Sequence, residues 1–295
     1  MSNNIKIGTL LNGPDATSLI PKFGPYGFES YGLTFWQSTG KTDLVELAKS
    51  TVALANEHGA VISSLGIFGN PLTGAGDNYD TLASWERLID HAHLFGTNIV
   101  GGFTGRIPDR PLDESIPRFK EVFGPLAKRA ADQGVKLAFE NCSMGGSWYR
   151  GDWNIAHSPS AWNLMFNALP DDNVGLQWEP CHQLLNLIDP IPQLRKWTHK
   201  IVAVHGKDAT VAWDIVREQG VNGAQRFSWD RTPGFGDSNW TDIISILRQA
   251  GYEGAIEIEG WHDNVYRDEL EFTGQVAALD YLKRCRGGTF IPMSL

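Results

Sequence analysis

Short, nearly continuous apolar runs alternate with longer segments of helical period from one end of the chain to the other. The candidate strands are Lys6–Leu10, Gly27–Phe35, Ala60–Gly66, Asn98–Phe103, Lys136–Asn141, Asn173–Trp178, Lys200–His205 and Gly254–Glu259. The intervening segments repeat their apolar residues three and four apart, as a helix with one buried face requires. Thr42–Glu57 sets Leu44, Val45, Leu47, Ala48, Val52 and Leu54–Ala55 near one face, and Tyr79–Phe95 does so with Leu82, Trp85, Leu88, Ile89 and Leu94. Pro117–Gln133, Pro159–Leu169, Ile191–Thr198 and Asn239–Ala250 follow. Gly59, Gly96, Gly134 and Gly251 stand between helix and strand, where a helix C-cap is expected. Ser238 or Asn239 would cap the helix at Trp240.

Eight strands with interleaved helices predict an α/β fold, a (β/α)8 TIM barrel, with 1–295 as a single domain. An open doubly wound sheet would carry a glycine fingerprint after its first strand, and Leu10–Pro14 (LLNGP) carries none. The one long connection, Gly206 to Ser238, follows strand seven, where an active-site loop is expected.

Composition narrows the class. Hydrophobic residues make up 42% and charged residues 20%, which suits a soluble globular chain. A net charge of −9 opposes non-specific nucleic-acid binding. Cys142, Cys181 and Cys285 form no paired motif, so a reducing cytoplasm is the expected compartment. The segment Met1–Leu11 lacks the apolar run of a signal peptide, and no membrane span is expected. Eleven tryptophans include six expected in loops, Trp36, Trp148, Trp153, Trp213, Trp229 and Trp261, either as rim packing or as faces for a sugar ring.

The candidate chemistry lies where strands end. Glu140, Glu179, His205 and Glu259 close strands five, six, seven and eight, and parallel barrel strands bring those ends to one face. Three carboxylates and an imidazole suit a divalent ion with open positions, Mn²⁺ foremost and Mg²⁺ or Co²⁺ as well, with zinc less natural. His182, Lys207, Asp208 and Glu257 lie close by in sequence. Trp229, Asp230 and Arg231 fall in the long loop, where Arg231 could reach a substrate oxygen. His157 and His262 fall in loops at the same end. No nucleophile elbow, zinc-protease helix or P-loop is present.

Lys136–Met144 (KLAFENCSM), Asn173–His182 (NVGLQWEPCH), Val204–Asp208 (VHGKD), Trp229–Gly236 (WDRTPGFG), Trp240 and Gly251–Glu259 (GYEGAIEIE) resemble, in order, the xylose-isomerase-like barrel superfamily. Within it they are most similar to the sugar phosphate isomerase/epimerase branch. The specific motifs run from Lys136 to Asp263, and the first half matches by its strand–helix rhythm. The resemblance implies Glu140, Glu179, His205 and Glu259 as metal ligands, with Glu140 and Glu259 also the acid/base pair. It implies substrate contacts from His182 and Arg231, with Lys207 and Trp229 beside them. The branch usually has aspartate where this chain has Glu179. No glycine-rich phosphate cradle is visible, so an unphosphorylated sugar suits the site.

The implied activity is metal-dependent isomerisation or epimerisation of a sugar, by proton abstraction next to a carbonyl through a metal-stabilised enediolate. The alternative is a lyase or deglycosidase that cleaves a 3-keto-glycoside by β-elimination, with a small partner subunit. A nuclease would carry more histidines, and a non-catalytic sugar-binding barrel would lack a ligand. The expected partner is a small sugar or glycoside, with homo-oligomers common in the family.

Overall fold

The structure, a computed structural model, describes residues 5–74 and 80–288. Tyr79, where a helix was expected to begin, and the first four residues of Met1–Leu11 lie outside the described residues. The strands are β1 (Lys6–Asn12), β2 (Ser30–Trp36), β3 (Val61–Phe68), β4 (Ile99–Gly102), β5 (Lys136–Glu140), β6 (Val174–Trp178), β7 (Ile201–Gly206), β8 (Asp208–Val211), β9 (Ser228–Arg231) and β10 (Ala255–Ile258). Eight of them close into a parallel barrel in the order β1-β10-β7-β6-β5-β4-β3-β2, while β8 and β9 form a separate antiparallel pair. Barrel strands are covered on both faces and read as apolar runs. Accordingly β6 and β10 are buried at every position.

The helices are α1 (Ala16–Phe23), α2 (Leu44–Glu57), α3 (Thr81–His91), α4 (Ile116–Asp132), α5 (Pro159–Ala168), α6 (Cys181–Leu185), α7 (Pro190–Trp197), α8 (Trp213–Gln219), α9 (Trp240–Gln249) and α10 (Glu271–Cys285). Side-chain caps start several of them. The Asp43 carboxylate accepts from the Val45 and Glu46 amides at 3.0 and 3.1 Å, and the Asn239 side chain accepts from Asp242 N–H at 3.1 Å. The four glycines expected to end helices all hold a left-handed backbone, with φ of 70° at Gly59, 72° at Gly96, 69° at Gly134 and 76° at Gly251.

Helix α1 has no counterpart among the predicted elements: Pro14 sits in the 3-10 turn that precedes it and Pro21 is carried inside it. Two local readings change. On α2, Val45 faces solvent, and Thr51 is buried with its hydroxyl donating to the Leu47 carbonyl at 2.7 Å. After His91 the chain tightens into a 3-10 turn, Ala92–Phe95. With three residues per turn the period slips, so Phe95 is buried and Leu94 points outward.

Packing divides the chain into two compact units. One holds the described residues up to Thr9, Glu179–His199 and those from His205 onward; the other holds Leu10–Trp178 and Lys200–Val204. The division passes inside β1 and β7. In the second unit Phe139 of β5 meets Phe119, Phe123 and Trp85 edge-on, with ring centroids 5.5, 5.0 and 6.5 Å away. Side chains alternate across a strand, so a Phe139 packed on the helices turns Glu140 into the barrel. Among the described residues no helix is long and apolar enough to cross a membrane.

Candidate metal centre

The same alternation operates at each of the four strand ends. Phe139, Trp178, Val204 and Ile258 are buried apolar residues, and the next residue in each case is Glu140, Glu179, His205 or Glu259. All four of these polar side chains are buried, and one ligand atom from each lies within 4.8 Å of the others. Two carboxylate charges at that distance repel by about 3 kcal/mol at an effective dielectric of about 20. Burial removes the water that would otherwise screen them. A divalent cation neutralises such a group, and three carboxylate oxygens with one imidazole are a donor set it accepts. The residues therefore fit the ion that the motifs imply.

Lys207 supplies positive charge in the same place. Its buried Nζ donates to Glu259 Oε1 at 2.6 Å and lies 3.9 Å from Asp230 Oδ1. His205 Nδ1 lies 3.3 Å from the other oxygen of Glu259. Burial alone would push the Glu259 carboxyl above the usual carboxylate range, but the Lys207 ammonium and His205 outweigh it and hold the carboxyl well below that range. The backbone adds register, since Glu259 N–H donates to the Gly206 carbonyl at 3.1 Å.

His182 follows Glu179 on α6, and its Nε2 lies 2.8 Å from Glu179 Oε1. Cys181, His182 and Asp230 form a second group with ligand atoms within 4.8 Å of one another. There the Cys181 thiol donates a hydrogen bond to Asp230 Oδ1 at 3.6 Å, and burial pushes the thiol's pKa well up. Asp230 and Cys181 both lie inside the motif segments, but nothing in their local pattern sets them apart.

Trp229 and Arg231 do not belong to an irregular loop. They lie on β9, which pairs with β8 so that Asp208 faces Arg231 and Thr210 faces Trp229. Arg231 Nε lies 3.4 Å from Asp263 Oδ2. Asp263 also accepts the Thr232, Val265 and Tyr266 amides at 2.6, 2.7 and 2.9 Å. Burial opposes its ionisation, but those amides more than compensate, and its pKa is lowered. Nothing in the pattern around Asp263 distinguishes it beyond a polar turn: the Val265 and Tyr266 amides are local partners, and Thr232 and Arg231 come from a distant part of the chain.

Asp208 braces the hairpin. Its carboxylate accepts the Ala209 and Ser238 amides at 2.8 and 3.1 Å and the Trp240 indole N–H at 3.1 Å. Gly236 lies so close that an added Cβ would approach that carboxyl group to 2.5 Å. Beside Glu140, Asn154 donates to the main-chain carbonyls of Glu140 and Cys142, both at 2.7 Å. Its own side-chain oxygen accepts from the Thr104 amide at 3.0 Å. His157, two residues beyond Ile155 in the same loop, is buried, and burial with the Arg106 charge pulls it down to about 4.

The chain is thus a closed parallel (β/α)8 barrel with a buried Glu/Glu/His/Glu cluster at the ends of β5, β6, β7 and β10. A family model described as xylose isomerase-like TIM barrel matches residues 25–285, and the chain belongs to that family. The match reaches well into the half where only strand–helix rhythm had been legible.

Among curated proteins, the chain is similar to the uncharacterized protein YfiH of Bacillus subtilis (strain 168), 29% identical over 50% of this chain and 46% of YfiH. It thus spans about half the length of that relative. It is also similar to the inosose dehydratase of Glaesserella parasuis serovar 5 (strain SH0165), 24% identical over 67% of this chain and 69% of the dehydratase. Among solved structures, the 3-keto-D-glucoside 4-epimerase YcjR of E. coli, in its apo form, shares the fold with a TM-score of 0.70. Identity there is 15%, and the alignment covers 95% of this chain and 100% of YcjR.

Proposed function

We propose that the chain is a divalent-metal-dependent sugar isomerase or epimerase that moves a proton next to a carbonyl. The convergence of Glu140, Glu179, His205 and Glu259 carries this reading. When bound, a divalent ion polarises the sugar carbonyl and offsets the negative charge that develops beside it. Glu179 and His205 would hold that ion together with Glu140 and Glu259, Mn²⁺ being the best match to the donor set and Mg²⁺ or Co²⁺ acceptable.

Glu140 and Glu259 form the acid/base pair in this reading. One takes the proton from the carbon next to the carbonyl, and the other returns a proton to the opposite face or the adjacent carbon. Lys207 keeps Glu259 ionised, and Asn154 fixes the main chain of Glu140, so neither carboxylate depends on the substrate for its position. His182 and Arg231 would contact the substrate, with Lys207 and Trp229 beside them. The kinship with an inosose dehydratase supports a second outcome of the same proton abstraction, in which a group β to the carbonyl leaves and a 3-keto-glycoside is cleaved.

The test is deuterium incorporation from D₂O into a panel of keto-sugars by protein loaded with Mn²⁺, beside Glu140→Gln and Glu259→Gln. Exchange at the carbon next to the carbonyl, lost in either variant, supports the reading. Exchange that persists in the double variant would sink the assignment of the pair. Release of a free aglycone without exchange into free sugars would favour the elimination.

A further inference from the structure

Trp36 ends β2 with 58% of its surface exposed, more than any other tryptophan among the described residues. Its ring centroid lies 5.5 Å from that of Trp153, at an interplanar angle of 36°. Two indoles brought together only for packing would bury each other. Here one keeps most of its surface in water, and both are held firmly by the backbone around them.

On the Trp36 side, Gln37 adopts φ of 59°, a left-handed conformation unusual for a residue with a side chain. Two hydrogen bonds clamp it there: Gln37 N–H donates to the Phe68 carbonyl at 2.8 Å, and the Thr81 hydroxyl donates to the Gln37 carbonyl at 2.6 Å. Backbone held in a sparsely populated region against its preference is the kind of feature that accumulates at ligand clamps. On the Trp153 side, the next residue is Asn154, whose side chain grips the Glu140 carbonyl. The tryptophan pair and Glu140 belong to the same compact unit. Because β2 and β5 run parallel, Trp36 and Glu140 both stand at C-terminal strand ends.

We infer that Trp36 and Trp153 form a stacking subsite for a second ring joined to the reacting sugar, so that the substrate is a glycoside rather than a free monosaccharide. This rests on the proton-transfer reading for what happens to the first ring. An indole face offers apolar contact and a π-surface to any flat ring, whether an aromatic aglycone or the C–H face of another sugar. Fixed tryptophans lose little freedom on binding, which favours recognition by rigid contact. A reacting sugar that carried nothing further would leave this pair without a role.

The experiment uses Mg²⁺-loaded full-length protein with three probes: methyl β-D-glucopyranoside, phenyl β-D-glucopyranoside and cellobiose. Saturation-transfer NMR reads which ring touches the protein, and titration gives the affinities. The two-ring probes are expected to bind about fivefold tighter than the methyl glucoside, with saturation on the outer ring. Trp36→Ala should equalise them, while Trp36→Phe keeps most of the preference and shows that the fold is intact. A preference confined to the phenyl glucoside identifies an aryl aglycone, and one confined to cellobiose identifies a second sugar; either supports the subsite.

Equal affinities in the wild type, a preference that survives Trp36→Ala and Trp153→Ala, or no binding of any probe overturns it. Deuterium exchange on keto-sugars keeps the two readings separate. Exchange without ring preference removes only the subsite, and ring preference without exchange removes only the proton transfer.

Discussion

Lys207 Nζ lies 2.6 Å from Glu259 Oε1, with both groups buried. A lysine in that position places one positive charge in the same cluster of carboxylates that would take a divalent ion. In the proposed reading the two cations would share Glu259, so the protein without metal should depend on Lys207 more than the loaded protein does.

Lys207→Met tests that dependence. Removing one partner of a buried ion pair leaves the other charge uncompensated and costs about 3 kcal/mol. Urea unfolding should show that loss in chelator-treated protein and a smaller one with saturating Mn²⁺. Equal losses in both conditions would mean that Lys207 and the ion do not act on the same charge.

Metal binding itself should be visible as stability. An ion that binds only the folded state adds about 2.7 kcal/mol at a free concentration one hundred times its dissociation constant. The melting temperature of the wild type should therefore climb with Mn²⁺ concentration. Glu179→Gln and His205→Asn should flatten that climb, and a rise unchanged in both would place the ion elsewhere.

Asp208→Asn addresses the brace between the hairpin and α9. Its carboxylate now accepts three donors, including the Trp240 indole N–H. An amide group would turn N–H toward one of those donors and leave it unsatisfied, at a cost of about 2 kcal/mol. The midpoint of denaturation should fall accordingly. An unchanged midpoint would show that the loop from Thr232 to Asn239 is held by other contacts.

His157 gives a pH dependence. Burial, and then the Arg106 charge, lower it from 6.5 to about 4 in the folded chain. Between those values the unfolded chain binds more protons than the folded one, so stability rises with pH across the window and is lost as pH falls through it. The difference amounts to at most about 3 kcal/mol. Comparing His157→Gln with the wild type at pH 4.5 and pH 7 isolates it: the variant should lose less on acidification. A parallel decline in both would assign the acid sensitivity to other groups.

Much of this protein was legible in its residues. The alternation of apolar runs and helical segments predicts the barrel, because parallel strands covered on both faces must be apolar throughout. Glu140, Glu179, His205 and Glu259 were legible for the complementary reason: a charged residue closing such a run is costly unless it shares a partner. Gly59, Gly96, Gly134 and Gly251 marked helix ends through their backbone freedom alone.

Other features depend on partners distant in the chain. Asp263 takes its role from Thr232 and Arg231, Asn154 from Glu140 and Thr104, and Trp36 from Trp153. The hairpin that carries Trp229 and Arg231 pairs strands only four residues long, too short for an alternation to stand out in a polar connection. Local periodicity determined which faces are buried. Only the closed barrel decided which strand-end side chains meet, because that depends on register and alternation across strands far apart in sequence.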